Sequence, residues 1–72
     1  MKITYQPKTD SAYIYFKEGE TRVRTIQLNE DIALDYGDGE KIVGIEILSA
    51  SEYLGFRKES PSLKLENLTA VI

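Results

Sequence analysis

The sequence predicts an α+β fold that is mainly β: a small antiparallel β-meander of about five strands with one short C-terminal helix. Two observations support this prediction. The β-type segments 32–36 and 41–48 flank Gly37-Asp38-Gly39-Glu40, and Asp-Gly supplies the positive φ angles that a tight hairpin needs. Apolar residues also alternate with period two in most segments before residue 48, which is the spacing of strands with one face toward a core.

The first predicted strand contains Ile3 and Tyr5, and it ends at 6–10 because Pro7 has no amide hydrogen for a ladder bond. The second predicted strand covers 11–17. Its two faces carry Ala12, Ile14 and Phe16 on one side and Ser11, Tyr13 and Tyr15 on the other. Both faces therefore carry bulky side chains.

The third strand, 22–28, changes phase between Val23 and Ile26, and a bulge near 24–25 would reconcile the two. The fourth strand covers 32–36. The fifth strand presents Val43, Ile45 and Ile47 on one face and Ile42, Gly44, Glu46 and Leu48 on the other. Consecutive antiparallel strands joined by short turns predict the meander.

The C-terminal part contains a helix signal and an ambiguous tail. Ser49 and Glu52 match a capping box, which predicts a helix of about two turns that ends before Pro61. The segment 62–66 alternates like a sixth, C-terminal strand. The segment 67–72 is apolar enough to dock on this chain or on a neighbour. We expect residues 1–72 to form one domain.

The chain is short enough to need support beyond its own core. At 72 residues, a single core barely offsets an ordering entropy of roughly 1.5 kcal/mol per residue. The sequence contains no cysteine and no histidine, so disulfides and the usual zinc ligands are absent. The remaining sources of support are oligomerisation, a partner protein or unusually dense packing. Because the sheet also carries bulky side chains on both faces, self-association into a dimer or larger oligomer is expected.

Four apolar or aromatic residues on the second face are the candidate interface. Tyrosine is enriched at binding hot spots because it buries a large area at a low entropic cost. For the two tyrosines of the second strand, the sequence leaves two interpretations open, a subunit interface or cover by the chain's own helix or tail. The candidate interface residues are Tyr13, Tyr15, Ile42 and Leu48.

Charge and hydropathy disfavour several partners. The net charge of −3 and pI of about 4.8 make nucleic acid an unlikely ligand; Lys17, Arg22 and Arg24 are better explained as a solvated strand edge. Between residues 30 and 46, Lys41 is the sole basic residue among six acidic ones, so an acidic flank suited to a small basic protein is expected. No segment has the roughly 20 apolar residues of a membrane span, and a cytoplasmic location is expected.

The sequence predicts no catalytic residue, no metal site and no cofactor. Asp38 and Glu40 fit a hairpin turn better than a calcium loop, which needs more oxygen ligands. An alternative hypothesis is a small enzyme with a carboxylate site at a subunit interface, since paired carboxylates can serve as acid and base. The candidate carboxylates would be Asp10, Asp31, Asp35 and Glu46.

Several motifs before residue 52 stand out together: Lys2-Ile3-Thr4-Tyr5, Asp10-Ser11-Ala12-Tyr13-Ile14-Tyr15-Phe16, Thr25, Asp31 to Asp35, Gly39 and Ile42-Val43-Gly44-Ile45-Glu46-Ile47-Leu48. Together they resemble one family of small prokaryotic proteins, the domain of unknown function 2283 (DUF2283). The resemblance covers about 1–51 and departs from the usual family pattern at Gln6 and Ala12, where aspartate and leucine are more frequent.

The resemblance implies a small, mainly β domain without a known activity. Members of the family tend to be short stand-alone proteins, some of them beside other small proteins in an arrangement reminiscent of toxin and antitoxin pairs. We therefore expect a protein-binding or regulatory module that acts as a homo-oligomer, with neutralisation of a small toxin-like protein as a sharper version of this hypothesis.

Overall fold

A computed structural model of the chain describes residues 1–20 and 22–66, and this part forms a single antiparallel sheet with one short helix. The predicted fold class is thereby confirmed. A single 3₁₀ turn, Asp38–Glu40, closes the predicted hairpin. The strands and the helix are β1 (Lys2–Gln6), β2 (Ser11–Tyr15), β3 (Arg24–Gln27), β4 (Ile32–Tyr36), β5 (Ile42–Leu48) and α1 (Ala50–Leu54).

The strand order is β1-β2-β5-β4-β3, with every neighbouring pair antiparallel. A simple meander would pair β2 with β3, and this part of the prediction is wrong. The reason lies in β5, the longest strand, which carries apolar residues on both faces and therefore suits the centre of the sheet. In contrast, every residue of β3 is exposed, as befits an edge strand.

The two faces of the sheet follow the alternation along β2 and β5. The first face carries Ala12, Ile14, Ile45 and Ile47, and the second face carries Tyr13, Tyr15, Gly44 and Glu46.

A bulge lies in the β4–β5 pair and not, as predicted, in β3. Asp35 pairs with Gly44 and Tyr36 pairs with Ile42, so Val43 is the extra residue. The β3–β4 register is regular, and Val23 precedes the strand, which removes the change of phase. Because of the bulge, Ile42 moves to the first face beside Tyr36 instead of the second face.

Helix α1 packs on the first face. Ala50 is fully buried against Ala12 and Ile47, and Leu54 and Phe56 pack around these three residues. Of the alternatives left open for the second face, cover by the helix is therefore wrong. The smaller side chains of the first face at this end of the sheet leave room for the helix.

The start of α1 is capped by Asp10 and not by the predicted capping box. Ser49 has a left-handed conformation, with φ of 53°, and its side chain makes no cap bond. Instead the Ala50 amide donates to the Asp10 carbonyl (2.8 Å), and the Ser51 amide and hydroxyl donate to the Asp10 carboxylate (3.0 and 2.7 Å). A loop 41 residues away in sequence thus supplies the acceptors that the first turn needs.

The predicted sixth strand at 62–66 is wrong, because 61–66 contains no regular secondary structure. Leu63 and Leu65 are 52% and 67% exposed, so their alternation does not reflect a strand with one buried face. The docking predicted for 67–72 lies outside the described residues.

The buried core is small. Within 1–20 and 22–66, the buried hydrophobic residues are three alanines, one valine and one isoleucine, and no side chain larger than isoleucine is buried. Helical membrane spans are also absent from this part of the chain, since α1 is too short and polar to be one. The buried hydrophobic residues are Ala12, Ala33, Val43, Ile47 and Ala50.

Candidate protein-binding surface

A row of hydrogen-bonded side chains crosses the second face from β2 to β3. The Tyr13 hydroxyl donates to one oxygen of the Asp35 carboxylate, and the Thr25 hydroxyl donates to the other oxygen at 2.5 Å. Tyr13 belongs to β2, Asp35 to β4 and Thr25 to β3. In the sheet, β5 lies between β2 and β4. The Tyr13 bond therefore spans β5 and links two strands that are not neighbours in the sheet, and the Thr25 bond extends the link to β3.

Gly44 provides the space for this contact. It lies in β5 beneath the Tyr13 ring, and a Cβ atom on Gly44 would come within 2.6 Å of two ring carbons. Contacts below 3.0 Å require one side to move. A glycine in the middle of a mostly apolar strand is explained by this close approach of a neighbouring ring.

The environment keeps the Tyr13 hydroxyl protonated. Partial burial raises the pKa of Tyr13 well above its usual value, and the hydrogen bond to Asp35 raises it further. The hydroxyl is thus a permanent donor to the carboxylate at physiological pH. The arrangement is suited to fixing the strands relative to one another, and the protonated hydroxyl is unsuited to act as a base.

Tyr15 extends the same face as an aromatic pair with Tyr13. The two ring centroids are 4.4 Å apart, and the Lys2 ammonium lies 4.5 Å from the Tyr15 centroid, a distance at which a cation is attracted by the ring. A cavity of about 150 Å³ lies between this pair and the β2–β3 connection. Lys17 and Glu20 of that connection line the cavity. Both tyrosines are half-buried.

The four predicted interface residues do not share one surface. Tyr13, Tyr15 and Leu48 lie on the second face, whereas Ile42 pairs with Tyr36 on the first. Leu48 and Ile42 are 39% and 38% exposed. The structure therefore brings together three of the four residues.

The four candidate carboxylates do not converge on one site but fall into two pairs. Asp35 and Glu46 occupy diagonal positions on the second face, while Asp10 and Asp31 lie near the start of α1 on the two sides of β5. Glu46 is exposed. Within the described part of the chain, no group of three or more acidic residues is arranged to hold a metal ion.

Tyrosine hydroxyls donate to three of these carboxylates, which was not apparent from the sequence. Besides the Tyr13 bond, Tyr5 donates to Asp10 at 2.6 Å and Tyr53 to Asp31 at 2.8 Å. Desolvation, followed by the bond to Asp10, raises the pKa of Tyr5 to about 12, and the Asp31 bond raises the pKa of Tyr53.

The Tyr5 hydroxyl and, to a smaller degree, Ser51 hold the pKa of Asp10 below its usual value. Asp10 is thereby kept ionised as a helix cap. The sequence signal for this pair is that Tyr5 and Asp10 flank a turn that contains Pro7.

The charged surface is more mixed than predicted. Lys17 pairs with Glu20 at 3.1 Å and Arg24 with Glu40 at 2.6 Å, so two cations of the predicted basic strip have acidic partners. The acidic residues do not form one flank, because β4 places 30–31 and 38–40 about 17 Å apart at its opposite ends.

A row of aliphatic residues crosses the whole first face. The paired positions are Ile3, Ile14, Ile45, Leu34 and Ile26, one from each strand. Helix α1 covers the β1–β2 side of this row. At the other end Ile26 is 39% exposed, and Leu28, just after β3, is 58% exposed. The sequence alone did not reveal this row, because it depends on the strand order.

These observations define a small, mainly β domain whose tyrosines and carboxylates fix its own strands and helix. The chain belongs to a family described as protein of unknown function (DUF2283), whose model matches residues 2–51. The resemblance seen in the sequence is thereby confirmed. The match ends at Ser51, the residue that donates to Asp10.

An uncharacterized protein of Methanocaldococcus jannaschii is 38% identical over 58 residues, which represent 81% of this chain and 48% of the relative. The chain therefore spans about half the length of this curated relative. No solved structure matches the chain.

Proposed function

We propose that this chain is a protein-binding module that acts as a homo-oligomer. The observation that supports the proposal most directly is the incomplete core: the described residues bury no side chain larger than isoleucine, while an aliphatic row on the first face is partly exposed. Stable domains bury such a face against a second layer. A partner protein that supplies this layer would complete the core.

A regulatory role toward a small, basic, toxin-like protein is the sharper form of this proposal. The second face supports it, since Glu46 is exposed there beside the aromatic pair Tyr13–Tyr15 and Leu48. An acidic group among aromatic and aliphatic side chains suits a basic partner, because complementary charge speeds association and selects partners. Neutralisation would then take place on the face opposite α1.

The test is affinity capture of the tagged protein at moderate salt, with the mass of the complex measured by light scattering. The proposal predicts a homo-oligomer that also retains a small basic protein at fixed stoichiometry. Glu46→Lys should reduce retention of that protein severalfold and leave the homo-oligomer intact, whereas Glu59→Lys, an exposed control after α1, should change neither. A protein that is monomeric and retains nothing would contradict the proposal.

A further inference from the structure

The β3–β4 half of the first face lacks a second layer. We name this surface the open face and define it by Ile26, Leu28, Ile32 and Leu34. Ile26 and Leu28 are 39% and 58% exposed, and Ile32 and Leu34 are half-buried. Helix α1 packs around Ala12, at the β1–β2 end of the same face. Among the described residues, no second layer therefore covers the open face.

The open face is uncharged because of the alternation along its two strands. Thr25 and Gln27 of β3, and Ala33 and Asp35 of β4, project to the second face. Charge appears at the rim, where Arg24 pairs with Glu40 at 2.6 Å. A surface that covers the open face must therefore also be apolar and uncharged at its centre, because burying an unpaired charge there is costly.

A second copy of the same chain meets these requirements. Its open face is equally apolar, and its net charge of −3 arises from residues outside this patch, so two open faces can meet without bringing like charges together. The core formed by the described residues is small, so cover for the open face would be needed whenever the chain is folded. Another copy is the partner that is always present at the same concentration.

We infer that two copies of the chain pack open face to open face, with their sheets about 10 Å apart, around a twofold axis. This inference rests on the proposed function and specifies the partner and the surface of self-association. Ile26 and Leu28 would contact the other copy. The second face, with Glu46 and Tyr15, would remain accessible for a different protein.

The test compares Ile26→Lys with Gln27→Lys, two substitutions at adjacent exposed positions of β3 that project to opposite faces. Light scattering over a range of protein concentrations gives the mass and dissociation constant, and circular dichroism reports folding. We expect Ile26→Lys to weaken the dimer at least about tenfold, because a charge is placed in an apolar interface. We expect Gln27→Lys to remain a dimer.

A further variant, Leu28→Lys, decides the outcome if Ile26→Lys does not fold, since Leu28 lies just after β3 and is the more exposed of the two residues. A dimer that is unaffected by both Ile26→Lys and Leu28→Lys would overturn the inference and leave the proposed function standing. A monomeric wild-type protein would overturn the inference and, with it, the homo-oligomer of the proposed function, whereas the binding of another protein would be decided by the capture experiment; in that case, destabilisation of the monomer by Leu28→Lys would show that the chain covers its own open face.

Discussion

Tyr13, Gly44 and Asp35 act together at the residue scale. The tyrosine ring crosses β5 where glycine leaves space, and its hydroxyl reaches the carboxylate on β4. All three residues lie in segments that carry the family resemblance. Their side-chain contacts explain why those residue types stand there: they determine the packing of the strands, and no catalytic role is needed to account for them.

The first residue-scale prediction concerns Gly44→Ala. The added methyl group would displace the Tyr13 ring and weaken its bond to Asp35, so the free energy of unfolding should fall by about 1–3 kcal/mol. Urea denaturation at fixed protein concentration measures this loss. In a Tyr13→Ala background most of the loss should disappear, because the ring is gone. An equal loss in both backgrounds would contradict the proposed contact.

A second prediction concerns the pH dependence of stability through Asp10. Its pKa is lower in the folded protein than in the unfolded chain, so its stabilising effect is complete above the unfolded value of about 4 and is lost as the pH falls through the folded-state value. Thermal unfolding across this range should show an acid-induced loss of stability that is smaller in Asp10→Asn. The same pH dependence in both proteins would argue against the Asp10 cap.

At the scale of elements, local signals predicted the hairpin and non-local contacts decided the rest. Asp38 and Gly39 specify a turn within a few residues, and the structure confirms it. The pairing of β2 with β5 depends on which strand is apolar on both faces, and the capping of α1 depends on Asp10 from a distant loop. Ser49 and Glu52 match the local motif, but the distant carboxylate occupies the helix start.

The position of the bulge was likewise decided by pairing between strands and not by a local signal. A change of hydrophobic phase at Val23 was assigned to β3, although the strand begins only at Arg24. The extra residue, Val43, lies in a run of apolar residues, so the apolar pattern alone does not show which of them is unpaired. The face of Ile42, and with it one of the four candidate interface residues, therefore required the register between β4 and β5.

A prediction for α1 tests its docking on the sheet. Phe56, just beyond the helix, packs edge to face on Tyr5 with centroids 4.8 Å apart and lies against the small core. Phe56→Ala should lower the free energy of unfolding by roughly 2 kcal/mol, as measured by urea denaturation. Leu65→Ala, at a 67% exposed position, should change it by less than about 0.5 kcal/mol. Equal effects of the two substitutions would contradict this packing.

At the scale of the whole molecule, the sheet has two unequal halves. The β1–β2 side carries α1 as a second layer, whereas the β3–β4 side has apolar residues without such cover among the described residues. The short length and the absence of cysteine and histidine predicted a need for support. The location of the uncovered apolar residues followed only from the strand order, which places Ile26 and Leu34 at the open end of the aliphatic row.

The most direct test of this account is cross-linking through single cysteines, which is feasible because the natural sequence contains none. Ile26→Cys and Gln27→Cys would each be treated, at low protein concentration, with a bis-maleimide whose two thiol-reactive groups are about 10 Å apart, the spacing of packed sheets. The account predicts that Ile26→Cys is captured as a covalent dimer and that Gln27→Cys stays largely monomeric. Equal capture of both, as in pairing through the β3 edge, or capture of Gln27→Cys alone would contradict it.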